Sequence, residues 1–480
     1  DTEGSPDAVR ETLDTGLFSS RGLERIGWAH QTYAEFLAAR YLVEHDLPAD
    51  RMMALITHPE GKIIPQLRET AAWLASMVPE VFRGIIELDP EVLLRSDVAT
   101  ADVKDRLSLV ENLLRLYDEG KLVDCDWHLR GMYRKLNHPS LAEQLRPYIE
   151  DKRKGIVVRR VAIDIAEACE VLSLQGDLVQ VALNEADSHP ARVQAAFAIS
   201  QFGEDEARAM LKPLAMGQAG DDPDDELKGC GLECVWPRFL TTVELVATLT
   251  LPKQPSLFGM YRRFLDSHIA AGLQPSDLPL AVKWVEDHGV GQAPNGPLGE
   301  LADAILAKAL DNLGISEIPK VLAAAVQKWV RIHGDVGGGT RPSTFRAKLA
   351  ENVERRRQLV KAMLPLFCDS QDWVSLIYTE ELINSSDTFW LIDRLREAQA
   401  EPMQRLLAAF IARVFDGRDI GQVDAVICAS RQSRALAEEL SWLLEPVDLG
   451  SRKAQEMKAQ YERMREFEQR RTTRPLLDPP

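Results

Sequence analysis

Residues 158–166 read Val-Arg-Arg-Val-Ala-Ile-Asp-Ile-Ala, and residues 191–199 read Ala-Arg-Val-Gln-Ala-Ala-Phe-Ala-Ile. Set one under the other at an offset of 33, they align Arg159 with Arg192, Ala162 with Ala195 and most of the apolar positions. A third copy with fewer matches, residues 225–233, follows at an offset of 34. Periods of this size belong to arrays of helix pairs, in which each pair buries its apolar face only by stacking on its neighbours. Alanine-rich inner helices let such layers approach closely. The reading is an all-α chain, an α-solenoid of stacked helix pairs over residues 141–285.

Composition agrees. At 480 residues the chain has room for several domains or one long array, and 45% hydrophobic with 27% charged residues describes a globular protein. Alternating runs of β-branched residues are scarce, and no Asn-Gly or Asp-Gly hairpin signal lies between strand-like runs. Lys plus Arg number 57 against 74 Asp plus Glu, a formal charge of −17. A field of that sign repels phosphate backbones, so general nucleic-acid binding is disfavoured and a protein partner is the more natural ligand. Six Cys without a disulfide ladder suit a reducing cytoplasm. Cys230 and Cys234 lie one helical turn apart, but no second pair or nearby His completes a zinc site, so they read as core. No apolar run is long enough to span a membrane. The start has neither the positive charge nor the apolar centre of a signal peptide, and no Met, so the chain reads as a fragment.

Two stretches carry a resemblance. Residues 28–42, Trp-Ala-His-Gln-Thr-Tyr-Ala-Glu-Phe-Leu-Ala-Ala-Arg-Tyr-Leu, place Tyr33, Phe36, Leu37 and Tyr41 on one helical face, which predicts burial of that face. Their order closely resembles the element closing the winged-helix region of NACHT-type signalling NTPases. Residues 88–97, Leu-Asp-Pro-Glu-Val-Leu-Leu-Arg-Ser-Asp, resemble the segment that follows in the bacterial members. The repeats at 141–285 resemble HEAT repeats, and Val235-Trp236-Pro237, Gly259-Met260-Tyr261 and Lys283-Trp284-Val285 resemble a block common in that class, with no role derived for it. The resemblance implies a winged-helix remnant at the N-terminus and a nucleotide-binding module upstream, with ADP or ATP and Mg belonging to that module. It also implies a role for His30: the matching His in animal relatives reaches the β-phosphate of bound ADP. An imidazole can donate to a phosphate oxygen. The competing reading is a His that caps or buttresses the following helix, and Glu35 is expected to help fix that helix.

The expected division is 1–50 for the winged-helix end and its associated helix, 51–140 for a helical connector, 141–285 for HEAT-like repeats, 286–450 for a C-terminal helical region and 451–480 for a charged helix and tail. Helices are expected over 54–77 and 79–94 with joints at Pro59, Pro79 and Pro90, and over 298–313, 345–366, 389–398, 403–415 and 433–444. Residues 372–379 are the best strand candidate. Residues 451–471 carry seven basic and four acidic residues and predict a solvated helix docking one narrow face.

No catalytic constellation emerges. The nearest approach to a phosphate-binding loop is residues 334–341, where Thr340-Arg341 stands in place of the required Lys. His-Glu-x-x-His and Gly-x-Ser-x-Gly are missing. His189-Pro190 reads as a turn at a repeat boundary, and Asp164 and Glu167 as helical surface charges. The chain is therefore expected to be no enzyme and to hold no metal or cofactor, and the resemblance implies that it is the sensor and regulatory arm of a NACHT-type NTPase that binds a protein trigger such as a phage protein. The alternative is a freestanding helical-repeat scaffold for protein–protein interaction. The acids at 221–226 are the first residues to test for partner binding.

Overall fold

In a computed structural model, the described residues are 5–452 except 21, 23–24, 97–100, 124–129, 219, 255–257, 290, 292–295, 335, 337–342, 370–379 and 445–449, with 455–456, 458–459 and 462–463 beyond them. They form helices joined by turns and a two-stranded sheet, in two compact units, Asp1–Leu273 and Gln274–Pro480. The strand expected at 372–379 lies outside the described residues, as does most of 451–471.

The first unit opens with α1 (Pro6–Leu13) and an antiparallel hairpin, β1 (Phe18–Ser20) and β2 (Ile26–Trp28), in which Phe18 lies opposite Trp28. This is where the resemblance puts the last winged-helix strands. Next come α2 (Gln31–Glu44), α3 (Ala49–Ile56) and α4 (Arg68–Met77). The helix expected over 54–77 is broken, because residues 57–64 double back through a Thr57–Ile63 bridge. Pro59 has no N–H to continue the helix, and Gly61 takes a φ of +86° that other residues resist. Helices α5 (Pro79–Leu88) and α6 (Pro90–Leu93) each start on a proline, whose missing N–H costs nothing there. Then comes α7 (Val103–Asp118).

The repeats comprise α8 (Leu141–Glu150), α9 (Ile156–Ala168), α10 (Gln175–Leu183), α11 (His189–Phe202), α12 (Asp205–Met210), α13 (Lys212–Ala215), α14 (Glu226–Val235), α15 (Thr242–Thr248) and α16 (Met260–Gly272). One row runs α7–α9–α11–α14–α16, each helix packed on the next, and a second row α8–α10–α12 lies beside it. That is the solenoid expected from the sequence. Small residues bring the first row close: a Cβ on Gly229 would sit 2.2 Å from the Tyr261 amide nitrogen, and one on Gly231 2.5 Å from that of Ala215. The third copy differs from expectation. Burial aligns α11 with α14 at an offset of 36, not 34: Arg192 then matches buried Lys228, and half-buried Phe197 matches half-buried Glu233.

A buried arginine recurs at the fourth position of the inner helices. Arg159 in α9 donates from Nη2 to the Ile149 carbonyl at 2.9 Å and clasps both carboxylate oxygens of Asp187 at 2.6 and 2.8 Å. Arg192 in α11 donates from Nε to the Ala182 carbonyl at 3.0 Å. Ile149 and Ala182 are the penultimate residues of α8 and α10, whose last carbonyls have no partner within their own helix. Each guanidinium thus caps the helix before it, and Arg159 also grips the loop leading to the next repeat.

The second unit contains α17 (Leu278–Trp284), α18 (Pro297–Asp311), α19 (Ile318–His333), α20 (Thr344–Glu351), α21 (Val353–Asp369), α22 (Thr388–Glu397), α23 (Glu401–Val414), α24 (Ile420–Ser430), α25 (Arg434–Glu439) and α26 (Ser441–Leu444). The single helix expected over 345–366 is two, divided where Asn352 is extended, and α24 was missed. Here too one row, α17–α19–α21–α23–α25, is flanked by the pairs α18–α20 and α22–α24. Arg356, again the fourth residue of its helix, donates to the Leu382 carbonyl at 2.9 Å and clasps Asp387 at 2.5 and 3.0 Å. Replacing one partner of such a pair strands the other charge in the interior, at about 3–5 kcal/mol. Arg159→Met should therefore lower the free energy of unfolding by about that amount, read by urea denaturation followed by circular dichroism; a loss within error of zero would show that the clasp contributes nothing.

Candidate functional site

His30 is the N-cap of α2, with extended backbone, and its side chain makes no capping hydrogen bond. Its ring lies edge-on to Tyr33, centroids 6.4 Å apart, and is exposed. The helix behind it corrects an expectation. Ala39 is the one residue of α2 that is buried; Phe36 and Leu37 are half-covered, while Tyr33 and Tyr41 are 41% and 59% exposed. Among the described residues α2 packs chiefly on α4, along the flank where Phe36 meets Trp73 edge-on at 5.2 Å. Phe18 and Trp28 stack at 4.7 Å next to Ile26, which is also exposed. The helix is placed as the periodicity predicts, but its aromatic face is left open.

The acidic loop 221–226 turns largely inward. Asp222 is buried, and its carboxylate accepts from the Leu227 and Lys228 amides at 3.2 and 2.9 Å and from His189 Nε2 at 3.2 Å. Asp225 is buried in left-handed backbone, accepts from the Lys253 amide at 2.8 Å and lies 3.2 Å from the Lys253 ammonium. Glu226 accepts from the Met260 amide at 2.8 Å; burial pushes its carboxyl above the usual range against that hydrogen bond, and Asp224 and Asp222 add to the rise. Buried Lys228 donates to Thr250 Oγ1 at 2.8 Å and sits 4.5 Å over the Tyr261 ring; desolvation holds its pKa below the usual lysine value, against the pull of Asp225. Three loops are tied together by this knot, and His189 enters it as the first residue of α11 rather than as a plain turn.

Other expected surface groups are also internal. Asp164 is buried, 3.1 Å from Arg130 Nε, and accepts from Gln194 on the next inner helix. Burial raises the pKa of Glu167 one turn on, and Arg130 opposes the rise. Cys230 and Cys234 are free and buried as expected, and desolvation pushes the Cys234 thiol up to about 12. Gly334 caps α19 at a φ of +78°; the rest of the phosphate-loop candidate at 335–341 is outside the described residues except Val336.

A groove of about 450 Å³ lies among Arg106, Asn137, His138, Leu141, Cys169 and Val171. His138 Nε2 is 2.8 Å from Gln144 Oε1, and the Gln144 amide nitrogen donates to the Leu107 carbonyl at 3.1 Å. Oε1 must therefore accept, which puts the proton on Nε2. Comparison of the chain with protein-family models, curated proteins and solved structures gives no match.

Desolvation lowers the His138 pKa below 6.5; the Gln144 hydrogen bond opposes this and the Arg106 charge reinforces it. The unfolded state then binds the more protons just below pH 6.5, so stability is full above that pH and falls as the pH drops through it. His138→Gln should flatten the decline in urea midpoint between pH 7.5 and 5 relative to wild type. An unchanged slope would remove His138 from the acid response.

Proposed function

We propose that this chain is the sensor and regulatory helical-repeat region of a NACHT-type signalling NTPase. It binds a protein trigger, such as a phage protein, and biases the ADP/ATP switch of an NTPase module. The observation that carries the reading is the motif at residues 28–37. His30, the residue it assigns to the nucleotide, is exposed in this chain, as are Tyr33 and Tyr41 on the continuing helix. In that assignment His30 donates to a phosphate oxygen of ADP held by the NTPase module. The cytoplasm is the compartment that such a switch requires.

The physical requirement on the trigger is differential affinity. A shift from mostly closed to mostly open needs about 5.5 kcal/mol in favour of the open form. A stacked helical array suits this because it offers a broad surface whose curvature changes by small motions at many repeat interfaces.

No helix among the described residues is long and apolar enough to cross a membrane. The test is affinity capture with the purified chain from phage-infected and uninfected bacterial lysates, followed by calorimetry on each captured protein. An infection-specific protein binding one-to-one is the expected outcome. Host proteins alone, captured equally from both lysates, would overturn the sensor reading in favour of the freestanding scaffold.

A further inference from the structure

We propose that His189, Asp222 and Asp224 bind a divalent transition-metal ion, with zinc the best match. The imidazole comes from the first residue of α11 and the two carboxylates from the loop leading into α14, so two successive repeats contribute. Nε2 of His189 lies 3.2 Å from Asp222 Oδ1 and 3.3 Å from Asp224 Oδ1, and the three ligand atoms fall within 4.8 Å of one another.

What separates this group from an ordinary run of surface acids is the imidazole at its centre. One ring nitrogen offers a single proton or a single lone pair. Its hydrogen bond goes to Asp222, while Asp224 approaches the same nitrogen without one. Ligands about 2.0–2.1 Å from a tetrahedral zinc are separated by roughly 3.3 Å along each edge. The two His189 separations therefore match edges of such a site, and an ion would serve both carboxylates at once.

The nearest ammonium groups are engaged elsewhere. Lys253 lies against Asp225 and the Asp222 carbonyl, and Lys228 donates to Thr250. The remaining ligand capacity is open to a metal, since Asp222 uses its oxygens for amides and still retains lone pairs. Asp224 and His189 are partly exposed, at 25% and 23%, so an ion can enter and complete its shell with water or a partner's carboxylate. A mixed imidazole and carboxylate set favours zinc, manganese or iron over calcium, which prefers oxygen alone. The ion would pin the start of α11 to the approach of α14. Metal binding of this kind is independent of whether the chain serves an NTPase.

The test is isothermal titration of EDTA-stripped chain with zinc chloride, alongside calcium chloride, with thermal melts at each end point. One zinc per chain, no heat from calcium, and a higher melting temperature with zinc are expected. His189→Gln, which keeps a hydrogen-bond donor for Asp222, and Asp224→Asn should each weaken zinc at least tenfold while leaving the circular dichroism spectrum unchanged. Should His189→Gln unfold, Asp224→Asn decides alone. Cobalt substitution supplies a second readout: weak visible bands support nitrogen and oxygen ligands, whereas an intense thiolate band would place the ion on cysteine. Millimolar or undetectable zinc binding, wild-type affinity in either folded variant, or that thiolate band would overturn the site.

Discussion

The guanidinium of Arg159 sits in an interior that rejects charge, and it is tolerated because both terminal nitrogens find acceptors, although Nε has none. Bringing an arginine and an aspartate out of water costs several kcal/mol per ion, which their attraction repays only in good geometry. Here the geometry is bidentate, with a helix-terminal carbonyl taking a further N–H. The pair adds little to stability over an apolar replacement, but it penalises any stacking that separates the two residues. The Arg356–Asp387 clasp places the same constraint in the second unit.

Close approach is the other half of the constraint. Gly229 and Gly231 let the backbone of α14 run directly against its neighbours, where a methyl group would meet backbone atoms. Protein interiors transmit such shape demands because they are packed to crystal-like density. The polar knot around Asp222 then closes the same region from the loop side. Its carboxylate satisfies the first amides of α14, which no intrahelical carbonyl could reach.

The solenoid was legible in the sequence because Arg159 and Arg192 occupy equivalent positions at a constant offset, and the burial of both bears that out. The third copy was misplaced by two residues, since ten residues, 216–225, lead into α14 where five, 184–188, lead into α11. The burial of α2 was overread for a different reason: a helical stripe says which residues share a face, but not whether anything covers it. Asp164 looked like a surface charge because its partners, Arg130 and Gln194, lie 34 and 30 residues away. His189 was hidden likewise, since its carboxylates lie 33 and 35 residues downstream. The Asn352 break that splits α20 from α21 carries no proline or glycine to announce it.

The long loop before α14 has a wider consequence. The inner row keeps its buried cations in register, while the loop at 216–225 absorbs most of the change in length. Arg159 is satisfied by Asp187, in the loop after the next outer helix. Around Arg159 the self-contained unit is thus not the helix pair but the span from that guanidinium to its carboxylate. A chimaera joined between helices of a pair would cut that span and inherit an orphaned charge, whereas one joined just beyond the aspartate would carry the whole circuit with it.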